Sequence, residues 1–498
     1  MRDSLLGIDI GNTMIKAVLF DLQGGILNAA ECAGETHQPQ AGFAERSIEE
    51  IYSGVTQAIR QCLDHPQAGE WRIIGIGAAG HGNGLYALDR ERQPLLGIQS
   101  IDSRAIESVL ALESSGRSQA IYQCSLQKPW AAATPVLLNW LQRHQADVYE
   151  RIGHIMLAKD VVVHFLTDAI STDFSDASGA GLIDINLQDY SPDLLALYQI
   201  EDQLSHLPPL HASCDVVGFV SSKTASLTGL TAGIPVVAGL FDVVASAAGA
   251  AVVNKGEASI VAGTWSINQA IVDNPHYLRP ISMNALIEHD RYMAIEASAT
   301  SAANLDWFIR EFDDGRNGQG AARSSEMVAA VAPHVQLPIY HPYLYSGRKD
   351  GPAKAGFYGL SGWHSRADML YALFEGVIFA HQGHINRLRA AGIPFLQATL
   401  SGGAAKSCIW PQMFADVLGI PLRVAQCHET GALGAAMCAG VGIGQWHDLS
   451  DAAHHAVKLK PQILQPDNER HQFHQQRYQL FKRLETAMSK VWQEDPRH

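Results

Sequence analysis

The chain has 498 residues, and because single hydrophobic cores stop growing near ~250–300 residues, we expect two large domains rather than one. The content of 47% hydrophobic and 17% charged residues is typical of a folded globular protein and excludes a disordered one. A net charge of −14 argues against broad nucleic-acid binding and for local ligand sites.

The first predicted element is a β-hairpin at residues 5–21. An apolar run carries one acidic residue, Asp9, near its end. The turn Gly11-Asn12-Thr13 follows, and a second apolar run begins after it. Such a turn can expose backbone N–H groups, a hydroxyl and a carboxylate together, which suits phosphates and a divalent metal ion. The pattern therefore predicts a nucleotide site. A tight hairpin with a capping aspartate is the alternative.

Strand-like and helix-like patterns then alternate, which indicates an α/β fold. Residues 47–63 are predicted to be helical, because Ser47 and Glu50 form a capping-box pattern at the start of an amphipathic run. The other elements predicted up to residue 166 are strands at 26–32, 73–79 and 85–88, and helices at 136–143 and 160–166.

Two polar loops follow the predicted strand at 73–79. His81 and Asn83 stand in the glycine-rich segment 80–84, while Asp102 and Arg104 flank Ser103. Their donors and acceptors suit the hydroxyl groups of a polyol or sugar. The alternative is two polar surface loops with an Asp–Arg pair that is structural.

Asp242 follows a predicted buried strand at 234–239 and precedes a predicted small-residue helix at 243–253. A carboxylate at the carboxyl end of a strand is where α/β enzymes place catalytic groups, and it could accept a proton from a substrate hydroxyl. The alternative is a helix N-cap, a position that aspartate fills well.

A second hairpin is predicted at residues 257–272, with Gly263-Thr264 at its turn and Ala262 where the first hairpin has its acid. This imperfect internal duplication predicts two domains, 1–251 and 252–498. Two such turns that face each other would grip a polyphosphate from both sides. The acid on one side would leave one metal site.

The last predicted elements are a strand that leads to a glycine-rich turn, and three further helices. A strand at 398–400 opens into Ser401-Gly402-Gly403-Ala404-Ala405, which lets a flat ligand approach the backbone or simply relieves a strand-to-helix turn. The remaining helices are predicted at 369–389, 431–439 and 471–491.

Taken in order, these elements resemble the FGGY carbohydrate kinases, which have the actin-like ATPase fold. The resemblance spans nearly the whole chain. It implies an α/β protein with two ribonuclease H-like domains and an active-site cleft between them. Besides the segments above, it rests on Gly42-Phe43-Ala44-Glu45-Arg46, Asp173-Phe174-Ser175-Asp176-Ala177-Ser178-Gly179, Ser407, Trp410, Ala415-Asp416-Val417-Leu418-Gly419 and Gly431-Ala432-Leu433-Gly434-Ala435-Ala436.

The resemblance also implies roles for individual residues. Asp9 would hold Mg²⁺, and Asp242 would be the base for the substrate hydroxyl. ATP would be bound by residues of both hairpins and of the late glycine-rich turn, namely Gly11, Asn12, Thr13, Lys16, Gly263, Thr264, Gly402, Gly403, Ala404 and Ser407. The sugar would contact His81, Gly82, Asn83, Asp102, Arg104, Trp130, Phe241 and Asp242.

Within the family the chain looks most like bacterial L-xylulose kinases, through Gly82-Asn83-Gly84-Leu85 and the segments 100–104, 263–265 and 296–301. It departs from many relatives at positions that contact the sugar in the family. His81, Gly82 and Asn83 replace Gln-Met-His, and Ser100 replaces Trp. Trp130 could supply an apolar wall instead, or it could be a core residue.

The resemblance thus implies a kinase that uses ATP and Mg²⁺ to phosphorylate a terminal hydroxyl of L-xylulose. D-xylulose, L-ribulose, erythritol, glycerol and 3-dehydro-L-gulonate are alternative substrates, and a non-catalytic, actin-like sugar sensor is the alternative outside the class. Seven cysteines without a CxxC pair favour a cytoplasmic protein. A homodimer is the family-level expectation, with neither nucleic acid nor membrane as a partner.

Overall fold

The computed structural model describes residues 1–65, 68–275, 277–288, 290–312, 319–345 and 353–494. Two large mixed sheets flanked by helices dominate it, so the predicted α/β class is confirmed. Among these residues, no helix combines the length and the apolar character needed to cross a bilayer.

Strands and helices are numbered in chain order. The strands are β1 (Arg2–Ile10), β2 (Met14–Asp21), β3 (Ile26–Ala33), β4 (Trp71–Gly80), β5 (Leu85–Asp89), β6 (Pro94–Ile98), β7 (Ile152–Met156), β8 (Thr172–Asp173), β9 (Ile183–Asp184), β10 (Asp189–Tyr190), β11 (Leu210–His211), β12 (Val216–Phe219), β13 (Pro235–Val237), β14 (Leu240–Phe241), β15 (Ala258–Ala262), β16 (Ser266–Val272), β17 (Met283–Glu288), β18 (Arg291–Ser298), β19 (Ile339–His341), β20 (Gly356–Tyr358), β21 (Ala398–Ser401) and β22 (Leu422–Val424).

The helices are α1 (Ile48–Leu63), α2 (Ile106–Ser114), α3 (Arg117–Ser125), α4 (Thr134–His144), α5 (Ala146–Tyr149), α6 (Ala158–Thr167), α7 (Phe174–Gly179), α8 (Pro192–Tyr198), α9 (Ser222–Thr228), α10 (Asp242–Ala248), α11 (Ala303–Phe312), α12 (Gly320–Ala329), α13 (Arg366–Ala390), α14 (Trp410–Leu418), α15 (Thr430–Gly442), α16 (Leu449–Ala456) and α17 (Asn468–Gln493).

The first sheet has the order β12-β13-β4-β1-β2-β3, and β14 pairs with β4. Strands β1, β2 and β3 are antiparallel, whereas β4 runs parallel to both β1 and β14. The register sets Asp9 opposite Ala79 and Phe241 opposite Gly80. Asp9, the loop after Gly80 and Asp242 therefore meet at one edge of the sheet, where open α/β sheets bind ligands.

The second sheet repeats this arrangement with the order β17-β18-β16-β15-β21-β22. Strands β15, β16 and β18 are antiparallel, like β1, β2 and β3, and β15 pairs in parallel with β21 as β1 does with β4. The predicted duplication of the hairpin is thus confirmed in the topology of the sheets that contain it.

Helix α15 comes late in the chain but packs on the first sheet. Helices α1 and α6 cover one face of that sheet, and α15 covers the other. A Cβ added to Gly7 of β1 would lie 1.9 Å from the carbonyl oxygen of Ala432, and one added to Gly434 would lie 2.0 Å from that of Ala245 in α10. Helix α15 therefore touches both β1 and α10 at backbone distance.

The structure confirms the predicted strands and helices, with one marked difference. The capping box of Ser47 and Glu50 is present at the start of α1. The helix expected at 243–253 instead ends at Ala248. Ala251 adopts a left-handed φ of 58°, and the Val252 amide donates to the Ala247 carbonyl at 2.9 Å, which is a helix-ending motif. Glycine commonly occupies the left-handed position that follows a helix. Because alanine stands there in this chain, the sequence did not indicate that the helix ends early.

Candidate active site

A cavity of about 320 Å³ lies between the turns of the two predicted hairpins. Its walls combine both turns, the start of α10, the late glycine-rich turn and the start of α15. Of the residues predicted from sequence, it is lined by Asp9, Gly11, Thr13, Lys16, Asp242, Gly263, Thr264 and Gly402. Segments separated by hundreds of residues therefore meet here, as the resemblance implies.

The first turn is held from behind through its carbonyl groups. Arg46 donates to the carbonyls of Gly11, at 3.2 Å, and of Asn12, and Gln99 also donates to the Asn12 carbonyl, at 2.8 Å. Within the described chain, the amide N–H groups of Asn12 and Thr13 make no hydrogen bond, so the turn presents donors to an anion. The Asn12 side chain instead bonds Ser100 at 3.0 Å.

The second turn contacts the late glycine-rich turn. Gly402 has a φ of +85°, and a Cβ there would lie 2.8 Å from the Ala262 carbonyl oxygen, so glycine is required on both counts. Gly403 and Ala404 lie behind it in a one-turn helix, and Ala404 is fully buried. The Ser407 hydroxyl accepts from the Trp410 amide at 3.1 Å at the start of α14.

Asp9 and Asp242 share the floor of the cavity, and each keeps part of its surface open to it. Burial, and next the charge of Asp9, raises the pKa of Asp242 to about 8. Burial raises the pKa of Asp9 to about 6, against the opposing effect of Lys16. Asp242 is not the N-cap of α10, because Phe241 takes that position and Asp242 begins the helix. The arrangement favours the catalytic interpretation over the capping one.

The floor of the cavity carries an excess of negative charge, which suits a bound cation. Asp9, Asp242 and Glu429 line the cavity with one lysine, Lys16. Carboxylate oxygens are ligands that Mg²⁺ prefers, and a divalent ion beside Asp9 would offset the negative charge of Asp9, which together with burial raises the pKa of Asp242. The residues present therefore fit a magnesium ion.

Lys16 and Glu429 form an ion pair across the cavity, with 2.7 Å between Nζ and Oε2. Glu429 is the N-cap residue of α15, yet its side chain makes no capping bond and reaches Lys16 instead. No local pattern indicated a role for this residue, because 413 positions separate the two partners.

The loop after β4 lies beside Asp242. Burial and the charge of Arg46 lower the pKa of His81 to about 3, so its imidazole is neutral, and its Nε2 lies 3.1 Å from the Tyr86 hydroxyl. His81 Nδ1 and Asn83 Oδ1 are buried without a hydrogen-bond partner in the described chain. A Cβ on Gly82 would lie 2.4 Å from the Phe241 ring. Two polar atoms of this loop therefore have no partner among the described residues.

Asp102 and Arg104 form a buried pair with each other. The Asp102 carboxylate accepts from the Ala44 amide at 2.7 Å and from Arg104 at 2.8 Å, and Arg104 also bonds Glu45. These contacts support the structural alternative, and a sugar contact for the pair stays a prediction. Trp130 is half-buried against the core around the β5-β6-β7 sheet.

Comparison with known proteins agrees with this geometry. Residues 4–249 match the N-terminal domain of the FGGY family of carbohydrate kinases, and residues 258–443 match its C-terminal domain. The chain is 34% identical to the L-xylulose/3-keto-L-gulonate kinase of Escherichia coli over 98% of both chains. It is also 34% identical to a probable L-xylulose kinase of Pasteurella multocida, over 97% of this chain and 98% of that one.

Solved structures show the same fold. The xylulose kinase of Rhodospirillum rubrum superposes with a TM-score of 0.85 at 25% identity, covering 98% of this chain and 99% of that one. The gluconate kinase of Lactobacillus acidophilus gives 0.87 at 21% identity over 99% of both chains. The predicted two-domain, actin-like fold is therefore confirmed. With both family domains matched and kinases similar along its whole length, the chain is a sugar kinase and belongs to the FGGY family of carbohydrate kinases.

Proposed function

We propose that this kinase transfers the γ-phosphoryl group of ATP to a terminal hydroxyl of L-xylulose, with Asp242 as general base. The observation that carries the proposal is the position of Asp242. It follows β14 directly and begins α10 at the floor of the cavity, beside Asp9 and between the two glycine–threonine turns. The names of the two relatives at 34% identity support the sugar.

The residues of the cavity have separate roles in phosphoryl transfer. The free amides of the first turn, together with Lys16, bind and orient the phosphates. Asp9 would hold Mg²⁺, which would offset charge on the transferring group. Asp242 accepts the hydroxyl proton as that oxygen attacks phosphorus, and the proton stays on the carboxyl until product leaves.

The loop next to Asp242 carries polar groups that suit a sugar. His81 is neutral, and its Nδ1 and the Oδ1 atom of Asn83 are buried without a hydrogen-bond partner in the described chain. These groups suit the hydroxyl groups of a sugar. Both relatives at 34% identity have L-xylulose in their names, and 3-keto-L-gulonate stands in one of the two, so we expect L-xylulose to be preferred over 3-dehydro-L-gulonate.

A substrate panel tests this function. ADP release with Mg·ATP is expected to be fastest with L-xylulose, compared with D-xylulose, L-ribulose, erythritol, glycerol and 3-dehydro-L-gulonate. Faster turnover of another compound would keep the kinase and overturn the sugar. Nucleotide binding without phosphorylation of any compound would favour the sugar-sensor alternative.

The pH dependence of sugar phosphorylation is expected to show an acid limb. A base acts only when ionised, so kcat/KM for the sugar falls as the pH drops through the pKa of Asp242, which burial and the Asp9 charge raise to about 8. Mg²⁺ bound at Asp9 would neutralise the Asp9 charge, which is the second cause of the raised pKa of Asp242. The acid limb is therefore expected to move to lower pH when Mg²⁺ is raised from a sub-saturating to a saturating concentration. A limb that ignores Mg²⁺ would contradict this coupling.

A further inference from the structure

Glu429 is a cavity residue to which the proposed mechanism gives no task. Its carboxylate lies 2.7 Å from Lys16 Nζ, and among the described residues it is the one carboxylate within 4 Å of that ammonium. Both side chains are about a quarter to a third exposed, at 31% for Lys16 and 24% for Glu429. The pair is therefore open to exchange with a ligand in the cavity.

The location of the pair matches the place of a polyphosphate. Lys16 follows the first turn, and Glu429 precedes Thr430 and Gly431, which line the same cavity at the start of α15. The first hydrogen bond of α15 runs from the Leu433 amide to the Glu429 carbonyl, and no side chain caps the helix. The amides before Leu433 therefore have no partner within the helix, and the positive end of the helix dipole faces the cavity. An anion held at Lys16 would also face these amides.

Glu429 would repel such an anion. Its negative charge adds to the burial that raises the pKa of Asp9, so the carboxylate acts on the floor of the cavity as well as on Lys16. A phosphate that takes over Lys16 must release Glu429 and remain beside it, and like charges at close range weaken binding.

We propose that Glu429 determines nucleotide affinity: in the nucleotide-free cleft its carboxylate occupies the ammonium of Lys16, and the polyphosphate of the incoming nucleotide must displace it. The proposal rests on the proposed function, since it takes a nucleotide as the ligand of this cavity. Glu429 thus prevents weakly binding anions from occupying the empty site, and it favours release of the nucleotide.

Isothermal titration of the full chain with Mg·ADP, without sugar, tests the proposal. Glu429→Gln is expected to bind Mg·ADP about tenfold tighter than the parent, because the amide cannot compete as an anion for Lys16. In a Lys16→Met background, the same Glu429→Gln change is expected to alter affinity less than about twofold, because the competition no longer exists. Titration with ADP in the absence of Mg²⁺ should show the same direction.

Glu31→Gln is the matched control. Glu31 pairs with Lys16 across β2 and β3 and is exposed, but it makes no ion pair with Lys16 and does not line the cavity. Its removal is expected to change affinity less than about twofold, since it lies outside the phosphate path. Equal or weaker Mg·ADP binding by Glu429→Gln would overturn the proposal and leave the kinase function intact. Absence of nucleotide binding in the parent would overturn both.

Discussion

The Asp242→Asn variant is expected to phosphorylate sugar about 10²–10⁴-fold more slowly than the parent, because it lacks the carboxylate that accepts the hydroxyl proton. The amide has nearly the same shape, so α10 and β14 should keep their packing. Loss of the Asp242 charge also removes repulsion with Asp9, so nucleotide affinity should be kept or improved. Steady-state kcat and a nucleotide titration measure the two effects separately.

Ser246→Ala is the matched control for this variant. Ser246 lies one turn further along α10 and lines the same cavity, yet it has no group that can act as a base at neutral pH. Its kcat is expected to stay within about threefold of the parent, since a neutral hydroxyl supplies no general base. Near-normal turnover by Asp242→Asn would remove Asp242 from the role of base.

Gly434→Ala is expected to lower the stability of the protein substantially. A Cβ at this position would lie 2.0 Å from the Ala245 carbonyl oxygen, so α10 and α15 must move apart. Over-packing of this kind costs about 1–3 kcal/mol, and the backbone contact makes the upper end the expectation. Urea unfolding followed by circular dichroism measures the loss.

Gly383→Ala offers the matched comparison within another helix. Gly383 lies inside α13, and a Cβ there would approach the Tyr478 hydroxyl no closer than 3.9 Å, an ordinary contact. Alanine should therefore raise the free energy of unfolding by about 0.5–1 kcal/mol, its usual advantage over glycine in a helix. If both variants changed stability equally, the close helix contact would not be the cause.

The parts of the site that were predicted from sequence are those that local patterns encode. Asp9 and the two turns were recognisable because each lies in a short run of strand, turn and strand. Asp242 was recognisable because a buried strand leads directly into it. The structure adds that these runs face one cavity, and this follows from sheet pairing rather than from any local pattern.

The missed residues act through contacts between distant segments. Arg46 supports a turn 34 or 35 positions earlier, Gln99 one 87 positions earlier, and Glu429 a lysine 413 positions earlier. No periodicity or capping rule encodes such a partner. For Asp102 and Arg104 the sequence left two interpretations open, and the hydrogen bond from the Ala44 amide to Asp102 supports the structural one.

The placement of α15 also bears on how the chain reaches its native state. Leu5, Val18 and Phe20 of the first two strands are buried under Ala432 and Leu433 of α15. A ribosome that has released the first half must still synthesise nearly two hundred residues, roughly 10–40 s of translation, before this cover exists. Until then one apolar face of the nascent first sheet stays uncovered. The first half therefore completes its folding only after the second half, which contains α15, has been synthesised.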